Sequence, residues 1–88
     1  MEKRIGTVTH YFNHIAVAVL ELEEGLKVGD TIHIAGHTTD FTQQVESMEI
    51  EHQPMQAVGA GADVALAVDH RVRKGDVVYM VTNDLTHF

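Results

Sequence analysis

Leu26-Lys27-Val28-Gly29-Asp30-Thr31-Ile32 is answered late in the chain by Val72-Arg73-Lys74-Gly75-Asp76-Val77-Val78. Each copy reads apolar, basic, any residue, Gly, Asp, and then a strand. Glycine relieves a backbone dihedral that other residues resist, and aspartate hydrogen-bonds the turn backbone. The two stretches are therefore equivalent corners, with Gly29, Asp30, Gly75 and Asp76 as structural residues. Two copies do not make a repeat protein.

Outward from the corners the signal is β. Ile5 to Phe12 is rich in β-branched and aromatic residues, as strands are. Asn13-His14 is a turn, and Ile15 to Leu22 returns as the second strand of a hairpin. Ala16, Ala18 and Leu20 share one face of that strand; Ile15, Val17 and Val19 share the other. Both faces are apolar, so the strand is covered on both sides or one face awaits a partner. Thr31 to Gly36 is a short strand with Ile32 and Ile34 inward, followed by the polar loop His37-Thr38-Thr39-Asp40. Phe41 to His52 alternates, but its apolar side switches between Val45 and Met48, which predicts a β-bulge near Glu46-Ser47.

Gln53-Pro54 ends that strand, since proline cannot donate to a central ladder. Met55 to Ala62 reads as a Gly/Ala loop with a helical turn. Asp63 to Asp69 is a strand with Val64, Leu66 and Val68 inward, and Val77 to Thr82 is the last strand. The expected fold is all-β: a small closed antiparallel β-barrel of about six or seven strands. It fills 1–88 as a single domain, with the barrel over about 3–82 and a polar C-terminal tail at 83–88. Closure would remove exposed strand edges.

Composition narrows the function classes. At 88 residues the chain is one domain with a thin core. Its 44% hydrophobic and 22% charged residues are those of a folded protein. It has no cysteine, which excludes disulfides, thiolate metal sites and cysteine nucleophiles and predicts an intracellular, cytoplasmic home. Met1 to Gly6 lacks the apolar core of a signal peptide. The longest apolar run, Ile15 to Leu20, is too short for a bilayer, so no membrane role is expected. The net charge of −7 argues against a grip on nucleic-acid backbones, which requires Lys and Arg.

The corners also carry a family resemblance. Gly25-Leu26-Lys27-Val28-Gly29-Asp30-Thr31-Ile32 looks like the hallmark of domain 2 of translational GTPases such as elongation factor Tu and initiation factor 2. Val45-Glu46-Ser47-Met48, Ala60-Gly61-Ala62-Asp63-Val64-Ala65-Leu66 and Arg73-Lys74-Gly75-Asp76 follow in the family's order, over roughly 5–82. Ala62 and Ala65 depart from it, where the family often has Asp and Gly. The chain looks most like the stand-alone, elongation factor-like proteins. Similar barrels also look like the appended C-terminal module of collagenase-like peptidases. The resemblance implies a translation-type barrel and a role with RNA, tRNA or a translation or RNA-modifying protein. No G-x-x-x-x-G-K-[ST] is present, so no nucleotide site is expected and the GTPase half is missing.

Catalytic chemistry is harder to find. Seven histidines, His10, His14, His33, His37, His52, His70 and His87, show no His-x-His spacing and read as separate surface groups, so no metal is expected. His37-Thr38-Thr39-Asp40 holds triad residue types, yet triads are assembled from separate elements. Glu49 and Glu51 share a strand face and read as solvated. The chain is thus expected to be a non-enzymatic binding module without a cofactor. Its candidate binding loop is His37, Thr38, Thr39, Asp40 and Phe41, and its candidate basic corner is Arg71, Arg73 and Lys74. A protein-interaction or homo-oligomerisation module with no RNA role is the alternative, resting on the two-faced strand Ile15 to Leu20 and the acidic surface.

Overall fold

The computed structural model describes residues 1–82; the polar tail 83–88, with His87, lies outside the described residues. These residues form ten strands and no helix, so no helix is long and apolar enough to cross a membrane. The strands are β1 (Glu2–Phe12), β2 (Val17–Leu22), β3 (Leu26–Lys27), β4 (Thr31–Ala35), β5 (Asp40–Gln44), β6 (Met48–Ile50), β7 (Gln53–Met55), β8 (Ala57–Val58), β9 (Asp63–Ala67) and β10 (Val77–Val81). Eight of them form one antiparallel sheet in the order β5-β4-β10-β1-β2-β9-β6-β7, while β3 and β8 pair separately.

The two corners are built alike. Gly29 and Gly75 hold φ of 97° and 96°, which glycine adopts without a Cβ clash. The Asp30 carboxylate accepts the Lys27 N–H at 3.0 Å, and the Asp76 carboxylate accepts the Arg73 N–H at 2.8 Å. Each corner also exchanges two backbone bonds with a buried valine. Gly29 N–H donates to Val45 and Val45 to Asp30; Gly75 N–H donates to Val8 and Val8 to Asp76, all at 2.8 Å. The sequence echo is a structural echo, with Val45 and Val8 in matching places.

Period-two alternation puts Ile32 and Ile34, Val64 and Leu66, and Ala18, Leu20 and Leu22 into one core with Ile5, Val8, Val45, Met48, Val72 and Val78. A fully buried aliphatic side chain contributes about 1.5–3 kcal/mol. The surface pairs Lys3–Glu24 and Arg4–Glu23 are each worth about 0–1 kcal/mol. The core therefore decides stability.

Several expectations are corrected. The sheet does not close into a hydrogen-bonded barrel, because no ladder joins β5 to β7 among the described residues. Its ends are tethered instead by the chain itself, since β5 and β6 are consecutive in sequence. β5 pairs with β4 and β6 with β9, with the buried Val45 between them. The side switch read as a bulge near Glu46-Ser47 is this change of partner. Gln43 reinforces the tether: its buried amide donates to the Ala67 carbonyl at 2.9 Å and accepts the Asp69 N–H at 2.7 Å.

The stretch read as a strand end and loop from Gln53 to Val58 instead carries β7 and β8. β6 and β7 form a hairpin on Glu51 and His52, with φ of 50° and 66°, the pattern of a two-residue primed turn. Pro54 is accommodated because β7 is an outer strand of the sheet. Ile15 and Ala16 belong to the β1–β2 turn rather than the second strand, and Ala16 takes a φ of 53°.

Candidate functional site

Two surfaces carry more than packing. The first unites the predicted loop with the predicted corner. Thr38, Thr39, Asp40 and Phe41 line a cleft of about 220 Å³ with His70 and Arg71. Arg73 donates from Nε to Thr38 Oγ1 at 3.0 Å, and the Phe41 and His70 rings meet edge-on with centroids 4.9 Å apart. His37 and Lys74 are exposed nearby in sequence and do not line the cleft. Thr39 is buried. Among the described residues Lys3, Arg4 and Lys27 pair with carboxylates, whereas Arg71, Arg73 and Lys74 pair with none. The corner residues Gly29, Asp30, Gly75 and Asp76 line neither surface, and both aspartates serve their own turn backbone.

Asp40, besides lining the cleft, pairs with His33 on β4. His33 lies between two carboxylates, with Nδ1 2.8 Å from Glu2 Oε1 and Nε2 2.5 Å from Asp40 Oδ1. Tyr79 stacks obliquely on the ring, centroids 5.8 Å apart. The bond to Glu2, and after it the bond to Asp40, raise the His33 pKa above its ordinary value near 6.5. Sequence reasoning missed this cluster because Glu2, His33 and Asp40 sit on three different strands. Among the described residues no three His, Cys, Asp or Glu side chains converge as a metal site.

A prediction follows from the sign. The folded pKa exceeds the unfolded one, so the clamp stabilises fully below about pH 6.5 and is lost as pH rises through the raised value. The Tm difference between the wild type and His33→Gln should shrink as pH is raised from about 6 to about 9. A difference that is flat or widening over that range would refute the clamp.

The second surface is apolar and covers the outer face of β2, β6 and β9. Phe12, Ile15, Val17, Val19, Ala65 and Ala67 line a groove of about 480 Å³, bordered by Glu49, Glu51, His52 and Asp63. Sequence reading supplied its β2 half through the two-faced strand; the β6 and β9 half follows from strand order alone.

The fold is shared with the C-terminal domain of a putative peptidase. The C-terminal domain of a Geobacillus thermoleovorans putative U32 peptidase superposes with a TM-score of 0.84 at 18% identity, covering 89% of this chain and 91% of that one. Its selenomethionine variant gives 0.82 at 19% identity, covering 86% and 96%. At the sequence level the chain is similar to an uncharacterized protease of Methanocaldococcus jannaschii, 40% identical over 78 residues. The match takes in 88% of this chain and 19% of the protease, so the chain spans about a fifth of its relative. No family model matches.

These findings overturn the elongation-factor resemblance, and with it the translation and RNA-binding roles it implied. The physical reason lies in the corners. Asp30 and Asp76 spend their carboxylates on the Lys27 and Arg73 N–H groups, so the Gly-Asp motif encodes a turn and not a ligand site. Of the two likenesses seen in the sequence, the comparisons favour the peptidase module.

Proposed function

We propose that the chain is a non-catalytic accessory domain of the kind found at the C-terminus of U32 peptidases, acting by contact with the rest of such a protein. The 40% identity with a protease of which the chain matches only 19% carries the reading, and the shared fold supports it. The engagement of Asp30, Gln43 and Asp76 in structural bonds agrees with a scaffold rather than a catalyst. A cysteine-free chain suits the cytoplasm, which belongs to the same proposal.

The test is a chimera of the Methanocaldococcus protease in which this chain replaces the matching 78 residues. A domain that docks on the remainder stabilises it, as any binder of the native state does. The chimera should unfold within about 5 °C of the intact protease, and a deletion of the same segment well below it. A chimera no more stable than the deletion would refute the reading. The isolated chain should leave labelled casein uncut.

A further inference from the structure

The groove over β2, β6 and β9 is the surface that folding leaves unfinished. Phe12 and Ile15 are 50% and 67% exposed, an unusual state for large apolar side chains on the rim of a shared depression. Its floor is Val17, Val19, Ala65 and Ala67, and the two alanines leave room for incoming side chains. The volume of about 480 Å³ lies within the range of ligand pockets, about 300–1,000 Å³. All three non-glycine residues with positive φ among those described, Ala16, Glu51 and His52, sit in the two turns that border it. Such backbone costs about 1–3 kcal/mol each and concentrates where a surface is used.

Charge selects the occupant. Glu49, Glu51 and Asp63 line the groove, and no Lys or Arg does. A second copy suits it poorly. A two-fold contact sets a patch against itself, and would bring these three carboxylates together with their counterparts on a chain of net charge −7. The complementary surface is apolar and basic. We infer that the groove docks a protein segment whose apolar side chains enter between Phe12, Ile15 and the alanines while flanking Lys or Arg residues meet Glu49, Glu51 and Asp63. The inference rests on the accessory-domain reading, in which that segment belongs to the body of the peptidase-type protein.

Three synthetic peptides test it, titrated into the isotope-labelled 88-residue chain and followed by amide chemical shifts. They alternate leucine with lysine, leucine with glutamate, and serine with lysine. The leucine–lysine peptide should shift Phe12, Ile15, Val17, Val19, Ala65 and Ala67 saturably, and bind at least about tenfold tighter than the other two. Its affinity should fall as salt is raised, because the charged rim is exposed. Phe12→Ser with Ile15→Asp should weaken it about tenfold or more. Both side chains are already exposed, and an otherwise unchanged spectrum shows that the fold survives. Equal binding of the serine–lysine peptide would overturn the inference, as would shifts centred on Phe41 and Arg71 or the absence of saturable binding. Concentration-dependent dimerisation abolished by Ile15→Asp would overturn it in favour of a second copy. A peptide that binds beside a failed chimera retains the groove and removes the peptidase setting; the reverse pattern removes the groove alone.

Discussion

Gly6→Ala is expected to cost about 3 kcal/mol, at the upper end of overpacking effects, and to lower Tm by roughly 10–20 °C. A Cβ at position 6 would sit 2.5 Å from the Glu21 carbonyl oxygen and 3.2 Å from Leu22 Cδ2. The nearer atom is backbone, so no rotamer change relieves the contact. Backbone movement is opposed from both sides, because Gly6 pairs with Leu22 on β2 and with Val78 on β10. The register of β1 against β10 shifts between Arg4 and Gly6, which places the residue where two strands close in on a third. Gly59→Ala is the control: a Cβ there meets nothing within 4 Å. Thermal unfolding followed by circular dichroism decides the matter. A Gly6→Ala protein melting within about 3 °C of the wild type would show that the strands can part cheaply.

The second large effect joins Gly36 to the corner at Asp76. A Cβ on Gly36 would lie 1.9 Å from Asp76 Oδ1. Here the obstacle is a side chain, but a buried one that accepts the Arg73 N–H. Gly36→Ala should expel the carboxylate and break that bond, at about 1–3 kcal/mol for the stranded donor. Asp76→Ala should cost about the same, since it strands the same N–H group. Together the two changes should cost less than their sum, because the new methyl group takes space the carboxylate has vacated. Urea unfolding of both single variants and the double variant measures the coupling, expected at about 1 kcal/mol or more. Strict additivity would mean that Gly36 and Asp76 do not share that space.

The corners and the inward faces were readable in the chain because their causes are local. An aspartate that caps the N–H three residues earlier needs only its own turn, so Asp30 and Asp76 are visible in a seven-residue window. Strand alternation has period two, so Ile32 and Ile34, or Val64, Leu66 and Val68, declare their core face without any partner. The same locality explains the misreading of function. A Gly-Asp corner marks a kind of turn that proteins of unrelated activity can share, and it points to translation factors, whereas the chain as a whole is similar to an uncharacterized protease and shares its fold with a putative peptidase's C-terminal domain.

Locality also limits the strand from Phe41 to His52. Its apolar switch is visible, but only the neighbours show that Asp40–Gln44 pairs with β4 and Met48–Ile50 with β9. The amino-acid sequence by itself determined an antiparallel all-β chain, its two Gly-Asp corners and the residues that face its core. Those outcomes follow from backbone sterics and side-chain period. The tertiary structure alone decided that the sheet stays open, that His33 is held between Glu2 and Asp40, and that β2, β6 and β9 share an apolar groove with an acidic rim. Each of these depends on which distant strands become neighbours, a choice made by packing the whole core at once.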